Sequence, residues 1–129
     1  METQITDLKA LDIWRRALVS SVRLEAPDLS ARQMALLLSV YLTLPPHTVR
    51  GLAQSLKVSK PAITRAVNRL SELGLVRRKT DETDRRSVLI QRTVKGSVFL
   101  REFGELIVSA ANAGDADNTG DASGLPPRF

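Results

Sequence analysis

The sequence predicts a mostly α-helical α+β protein with one small β-hairpin. Three observations lead to this fold class. Apolar residues recur at three- and four-residue steps over most of residues 5–73, which is the period of amphipathic helices. Residues 75–92 change to short β-branched and apolar runs around a polar turn, which is typical of a hairpin. The 129 residues, 43% of them hydrophobic, suffice for one domain with one buried core.

The first helix is predicted over residues 5–25. Thr6 can cap its start, Asp7 suits the positive end of the helix dipole, and Pro27 ends the pattern. Apolar residues lie at helical spacing along one side, namely Leu8, Leu11, Trp14, Leu18 and Val22. This spacing predicts one continuous apolar face, which has to be covered by another surface.

A capping box marks the start of the second helix. Ser30 supplies the hydroxyl and Gln33, three residues later, the amide that reaches back to the backbone. The run that follows is almost wholly apolar as far as Leu44, which predicts a largely buried helix. Pro45 and Pro46 then stop it, because proline cannot donate the hydrogen bond that a continuing helix needs.

Two short helices joined by a tight turn come next. Thr48 can cap the third helix, and Ser59 can cap a fourth that runs over residues 59–73. Pro61 fits the first turn of the fourth helix, where a missing N–H leaves no hydrogen bond unmade. Gly74 is placed to end that helix in the left-handed conformation.

Two strands and a last helix complete the predicted elements. The strands are expected at residues 75–80 and 87–92, and Thr93 can cap a fifth helix over residues 94–113. Residues 114–129 are rich in Gly, Asp, Asn and Pro, and we expect a disordered acidic tail there. Helix, turn, helix and hairpin in this order predict a winged helix-turn-helix.

The fourth helix has one face suited to a DNA major groove. At about 100° per residue, Ile63, Val67 and Leu70 form the core side. Facing outward are Pro61, Arg65 and Asn68, with Thr64 and Arg69 on the flanks. Arginine can bond guanine at two atoms, asparagine can do the same with adenine, and Ser59 and Lys60 at the helix start suit a phosphate. The alternative is an ordinary solvated helix face.

Positive charge is concentrated in the middle of the chain. Residues 1–44 have no net charge, residues 45–101 carry +9 and residues 102–129 carry −4. Five cations belong to the predicted hairpin: Arg77, Arg78, Lys79, Arg85 and Arg86. Such a cluster indicates an anionic partner, and a tip arginine can enter a minor groove. The alternatives are a basic surface without a partner, or neutralisation by the turn carboxylates, where we expect Asp84 to orient an arginine.

Several motifs together resemble the multiple-antibiotic-resistance regulator (MarR) family over about residues 29–100. Asp84-Arg85-Arg86 is similar to its wing signature, and Thr93 with Gly96 to the start of its next helix. The other similar segments are Leu29-Ser30-Ala31-Arg32-Gln33, Thr48-Val49-Arg50-Gly51-Leu52-Ala53, Val58-Ser59-Lys60-Pro61-Ala62-Ile63-Thr64-Arg65 and Leu70-Ser71-Glu72-Leu73-Gly74-Leu75-Val76-Arg77-Arg78. Two departures are Arg92, where the family usually has leucine, and Glu82-Thr83, where it often has arginine.

The resemblance implies a homodimer built by the helices at 5–25 and 94–113, with residues 29–93 as the double-stranded DNA-binding core of a single domain, 1–113. It implies a palindromic operator with the recognition helix, 59–73, in the major groove and the wing, 77–92, at the minor groove. The residues expected at DNA are Ser59, Lys60, Pro61, Thr64, Arg65, Asn68, Arg69, Arg77, Lys79, Arg85 and Arg86. Apart from the resemblance, the terminal helices carry more apolar surface than such a core covers, unless they fold back on their own domain.

The sequence lacks the residues that enzymes and metal-binding proteins commonly need. There is no cysteine and one histidine, His47, so neither a thiolate zinc site nor a catalytic triad is expected, and no phosphate-binding glycine loop is present. We therefore expect no enzyme, no cofactor and no metal. No apolar run reaches the roughly 20 residues of a membrane span, and the N-terminus is acidic where a signal peptide is basic, which predicts a cytoplasmic protein without membrane contact.

The main hypothesis is therefore a transcriptional regulator, in the first place a repressor that occupies a promoter. One alternative is a winged-helix module that binds a protein partner instead of DNA. Another is that the acidic tail competes with DNA for the basic face. A small-molecule effector is conceivable near Trp14 and Arg15 or Arg16, since relatives respond to small aromatic acids.

Overall fold

The computed structural model describes residues 4–117, and the side chains of residues 4–113. Its elements follow the predicted order of four helices, a hairpin and a last helix. They are α1 (Asp7–Arg23), α2 (Ala31–Leu42), α3 (Val49–Leu56), α4 (Lys60–Glu72), β1 (Val76–Thr80), β2 (Val88–Arg92) and α5 (Val94–Asp117). The chain forms two compact units, residues 27–100 and residues 1–26 with 101–129. The longer helix α5 contributes to both.

Helix α5 is longer than the sequence indicated. It continues to Asp117, so its last four residues occupy positions that were assigned to the tail beginning at residue 114. The glycine and aspartates there are poor helix formers, but a helix already nucleated by packing needs little propensity to add a turn. The remainder of the predicted tail, residues 118–129, lies outside the described residues.

The core of the unit 27–100 lies between α2, α3, α4 and the hairpin. The predicted inner side of α4 is confirmed, because Ile63, Val67 and Leu70 have no exposed surface. Ala62 and Ala66 are buried beside them, and their small side chains let α4 pack closely on its neighbours. The remaining members of this core are Leu36, Leu37, Val40, Leu52, Ala53, Leu75, Val76 and Ile90.

Hydroxyl side chains begin the helices as predicted. The side chains of Thr6, Thr48 and Ser59 each accept a hydrogen bond from a first-turn backbone N–H, and Ser30 with Gln33 forms the full capping box. Gly74 follows α4 with φ of +76°, and its N–H donates to the Ser71 carbonyl over 2.9 Å. These contacts satisfy backbone groups that helix ends would otherwise leave unpaired.

The two strands pair antiparallel, from Val76 opposite Arg92 to Thr80 opposite Val88. An isolated bridge joins Thr48 to Leu89, and the Ile90 N–H donates to the His47 carbonyl over 2.8 Å. The segment just before α3 therefore pairs with β2, an attachment that strand patterns did not predict. It connects the start of α3 directly to the hairpin.

Tyr41 joins three segments of the same unit at one point. Its hydroxyl donates to the Leu75 carbonyl over 2.6 Å and accepts from the Thr93 N–H over 2.8 Å. Thr93 in turn caps α5 by accepting from the Gly96 N–H over 2.9 Å, and its hydroxyl donates to the Gly74 carbonyl over 2.7 Å. The end of α4, the end of β2 and the start of α5 are thus held together by hydroxyl groups.

Arg92, at the end of β2, makes contacts with the end of α2. Its guanidinium donates to the Val40 carbonyl over 3.0 Å and to the Thr43 carbonyl over 3.1 Å, at the end of α2. It also lies 5.8 Å from the centre of the Tyr41 ring. A cation at this end of a helix interacts favourably with the helix dipole and satisfies terminal carbonyl groups.

The second unit contains α1 and residues 101–117 of α5. Ala17, Phe103 and Ala110 are buried, and Trp14 meets Phe103 edge-on with 5.8 Å between ring centres. Asp12 accepts hydrogen bonds from Arg15 and Arg16, both over 2.9 Å, and these bonds lower the pKa of Asp12, that from Arg16 most strongly. Within the described residues, no helix is long and apolar enough to cross a membrane.

We expect Gly96→Ala to lower the free energy of unfolding by about 1–3 kcal/mol or more, since 1–3 kcal/mol is the typical cost of overpacking. A Cβ at Gly96 would overlap both the Tyr41 hydroxyl and the backbone carbonyl oxygen of Leu75, and the carbonyl cannot easily move. Urea denaturation followed by circular dichroism measures the change. Gly104→Ala is the matched control in the same helix, because among the described residues a Cβ there meets no atom within 4 Å beyond the adjacent residues and backbone of its own helix. Equal losses at both glycines would contradict the packing argument.

Candidate nucleic-acid interface

Helix α4 presents a polar outer face above its buried side. Pro61, Arg65 and Arg69 are exposed, whereas Thr64 and Asn68 are half-buried. The burial alternates with the helical period, since five residues of the opposite side are buried: Ala62, Ile63, Ala66, Val67 and Leu70. The packing of α4 thus determines which of its side chains reach a ligand.

The start of α4 is exposed and positively charged. Ser59 accepts a hydrogen bond from the Ala62 N–H over 3.3 Å, and Lys60 is exposed in the first turn. Lys57, in the turn before α4, has φ of +54°, a left-handed conformation in which glycine is more usual. Two lysines therefore flank a helix start whose free N–H groups already favour an anion.

The hairpin, which we call the wing (residues 76–92), divides its cations between two faces. Successive strand residues point to opposite faces, so Arg77 and Lys79 lie on one face and Arg78 on the other. Arg77 donates to Gln91, its partner across the hairpin, over 3.0 Å. Arg78 donates to the Asn68 side chain on α4 over 2.7 Å. The sequence analysis treated these three cations as one group on one strand. The strand geometry places them on two opposite faces of the hairpin.

The turn of the wing is held by its two aspartates. Hydrogen bonds from the Thr83 hydroxyl and backbone N–H order the turn and lower the pKa of Asp81. Asp84 accepts from the Arg86 backbone N–H over 3.1 Å and from the Ser87 hydroxyl over 3.3 Å. The expectation that Asp84 orients an arginine side chain is therefore wrong, since its carboxylate is taken up by the backbone and Ser87. Arg85 and Arg86 are exposed in this turn.

Most cations of this unit have no internal partner. Within the described residues, no ion pair or hydrogen bond engages the charged groups of Arg50, Lys57, Lys60, Arg65, Arg69, Lys79, Arg85 and Arg86. The turn carboxylates bond to the backbone, Thr83 and Ser87 instead of to guanidinium groups. Neutralisation by Asp81, Glu82 and Asp84 through direct ion pairs is thus not observed in this part of the chain.

A cleft of about 290 Å³ opens between the start of α3, the start of α4 and the wing turn. Three of its lining residues are cations from three different elements: Arg50, Lys60 and Arg86. Asp84 is the only acid in the lining. The bridge between Thr48 and Leu89 holds α3 against β2 and so brings Arg50 to this cleft.

The structure thus brings together most of the residues predicted at DNA. Ser59, Lys60, Pro61, Thr64, Arg65, Asn68 and Arg69 belong to α4 or its cap, and Arg77, Lys79, Arg85 and Arg86 to the wing. Two residues were missed as site residues, Arg50 and Arg78. Arg50 follows a predicted cap by two residues, a position at a helix start that could have signalled it. No sequence signal indicates the contact of Arg78 with Asn68.

The described part of the chain offers no cluster of metal-ligating side chains. Among the side chains of residues 4–113, no group of three or more histidine, aspartate or glutamate residues could hold a metal ion. The nitrogen Nε2 of His47 lies 3.2 Å from the Thr43 carbonyl, so the imidazole is engaged at the end of α2. The site therefore consists of donors and cations, which suit an extended polyanion.

Solved structures share this fold. A mutant of S. aureus MepR bound to an oligodeoxyribonucleotide is 18% identical, with a TM-score of 0.69 over 81% of this chain and 74% of that one. CouR from Rhodococcus jostii RHA1, bound to p-coumaroyl-CoA, is 27% identical, with a TM-score of 0.56 over 80% and 66% of the two chains. A family model described as the MarR family matches residues 28–87. Residues 28–87 are thus similar to the MarR family over α2, α3, α4 and the first part of the hairpin.

The matched segment of the MarR family covers the second helix, the recognition helix and the wing turn. MarR-family proteins are DNA-binding transcriptional regulators and not enzymes, and the match supports the role of a DNA-binding transcriptional regulator for this chain. Another MarR-family regulator, from Rhodococcus sp. RHA1, is 24% identical and covers 90% of this chain and 74% of its own, with a TM-score of 0.59. The winged helix-turn-helix and the mostly α-helical α+β fold class are thereby confirmed.

Proposed function

We propose that this chain is a homodimeric repressor that reads a palindromic operator. In this proposal α4 lies in the major groove and the wing turn reaches the minor groove. The carrying observation is the outer face of α4, where Arg65 is exposed and unpaired within the described residues while the opposite side is fully buried. The structure of a MepR mutant bound to an oligodeoxyribonucleotide supports DNA as the ligand of this fold. Occupation of a promoter would exclude RNA polymerase.

Different residues serve base reading and backbone binding. Arg65, at the middle of the outer face, would bond a guanine edge at two atoms, with Pro61 and Thr64 beside it. The cleft cations Arg50, Lys60 and Arg86 would neutralise backbone phosphates, which set the register without carrying sequence information. Ser59, Arg69, Arg77, Lys79 and Arg85 extend the basic surface around them.

We expect Arg65→Ala and Arg86→Ala to fail in different ways. Arg65→Ala should lose about 1–3 kcal/mol of discrimination between operator and unrelated DNA, because a two-atom base contact is lost. Arg86→Ala should weaken binding to all sequences and reduce the slope of log K against log salt by about one. The operator is obtained by selecting bound genomic fragments, and fluorescence anisotropy is then measured across a salt series.

Arg32→Ala is the matched control, because it removes one exposed arginine from the start of α2, outside the proposed interface. It should leave both discrimination and the salt slope unchanged. Equal weakening on all sequences by Arg65→Ala would remove Arg65 from base reading. If the unmodified protein shifts no fragment in a salt-sensitive way, a module that binds a protein partner is the better reading.

The homodimer is supported by an apolar face on α1. Leu11 and Trp14 are 49% and 42% exposed, and Leu18 and Val22 continue the same stripe at 40% and 76%. Contiguous apolar surface of this kind marks an interface, and a second copy would remove it from water at about 25 cal/mol per Å². Two copies related by a two-fold axis would present two α4 helices to two half-sites, which accounts for a palindromic operator.

We expect Leu18→Glu to shift the protein from dimer to monomer, because a carboxylate would be buried without a partner in the apolar interface. Leu18→Met is the control, since it keeps a similar apolar volume. Analytical ultracentrifugation over a concentration series measures the association. A monomer at all concentrations for the unmodified protein, or a dimer unaffected by Leu18→Glu, would show that this face has another role.

A small-molecule effector is a second proposal. It is supported by a cleft in the unit that contains α1 and residues 101–117 of α5. This cleft of about 310 Å³ is lined by Arg15, Arg16 and Arg23 together with apolar residues of α1 and α5, which suits an organic anion. CouR is bound to p-coumaroyl-CoA, which makes that compound the first probe. Calorimetric titration should show saturable binding that Arg23→Ala weakens. Absence of heat, or no effect of Arg23→Ala, would contradict this assignment.

A further inference from the structure

One side chain of the wing contacts the outer face of the recognition helix. The guanidinium of Arg78 donates to the side-chain oxygen Oδ1 of Asn68 over 2.7 Å, within the unit 27–100. Arg78 is exposed on β1, and Asn68 is half-buried on α4. The contact therefore links the two elements that the proposed function assigns to the major and minor grooves.

The chemistry of this pair determines which way the Asn68 amide faces. A guanidinium has five N–H donors and no acceptor, so it can bind only the oxygen of the amide. Hydrogen bonds from a charged donor are about twice as strong as neutral ones, which favours this orientation over the flipped amide. Among the described residues, none accepts a hydrogen bond from the amide nitrogen Nδ2 of Asn68. The free end of Asn68 is thus a donor.

We propose that Arg78 is a positioning residue that restricts Asn68 to recognising hydrogen-bond acceptors on DNA. This inference rests on the proposed function and specifies one base contact within it. A two-atom contact to adenine, which the sequence indicated for Asn68, needs Oδ1 and Nδ2 together at one base edge. Arg78 occupies one lone pair of Oδ1 and directs that atom toward the wing, so the unbonded end of the Asn68 amide is Nδ2. Its N–H groups match guanine O6 and N7 and meet a clashing amino group on adenine.

The test begins by locating the base that Asn68 reads. The operator is selected from genomic fragments, each position is varied, and the position whose preference disappears in Asn68→Ala is assigned to Asn68. In the unmodified protein, guanine should be preferred over adenine there by about tenfold, equivalent to about 1.4 kcal/mol. Arg78→Ala should abolish or reverse this preference, since the released amide can present both atoms to adenine.

Three variants separate positioning from loss of charge. Arg77→Ala removes the neighbouring wing cation and should lower affinity for all sequences while leaving the guanine preference intact. Arg78→Lys retains a donor to Oδ1 and should restore most of the preference that Arg78→Ala loses. Asn68→Asp retains an acceptor for Arg78 but removes the donor, so it should keep the fold and lose guanine selectively.

The outcomes distinguish this inference from the function on which it rests. If the unmodified protein selects no DNA sequence, the proposed function fails. If it selects an operator but Arg78→Ala leaves the preference at the Asn68 position unchanged, only the positioning role is wrong. If Asn68→Ala changes no position, or if adenine is preferred in the unmodified protein, Asn68 does not read an acceptor and the inference is overturned.

Discussion

The close approach of Tyr41 to Gly96 is the constraint on which the winged-helix unit depends. The tyrosine hydroxyl bonds to backbone groups at Leu75 and Thr93, and only a glycine leaves room for it at position 96. Leu75 lies between the end of α4 and β1, and Thr93 between β2 and α5. The Tyr41 side chain therefore fixes how far the start of β1 and the end of β2 lie from the end of α4. A partly buried network of this kind specifies geometry because each unmade bond would leave a polar group unpaired.

Three contacts attach the wing to the rest of the unit 27–100. Its base is held at Tyr41, its second strand, β2, pairs with the segment before α3, and Arg78 bonds to α4. A ribbon of two short strands is only marginally stable by itself, so these attachments give it a defined position. In the proposed complex, such pre-organisation would reduce the entropy lost when α4 and the wing bind a duplex together.

The charges of the unit 27–100 divide into those used internally and those left for a ligand. Arg92 donates hydrogen bonds to carbonyl groups at the end of α2, and Arg77 and Arg78 bond to neutral amide side chains. The carboxylates of the wing turn accept from backbone and hydroxyl groups, which leaves Arg85 and Arg86 unpaired within the described residues. Repulsion among the unpaired cations is relieved when they neutralise phosphates and release counterions, which is the physical origin of salt-sensitive DNA binding.

The sequence by itself determined the order of the elements, the helix caps and the buried side of α4, because capping and hydrophobic periodicity depend on neighbours a few residues away. It also identified the exposed cations of α4 and the wing turn by their type and position. Only the tertiary structure decided that Tyr41 bonds near Gly96, that Arg92 caps α2, that Arg50 lines the cleft and that Arg78 holds Asn68. These contacts join residues that lie 10 to 52 positions apart or on three separate elements. Their partners follow from packing and strand register, which no local pattern encodes.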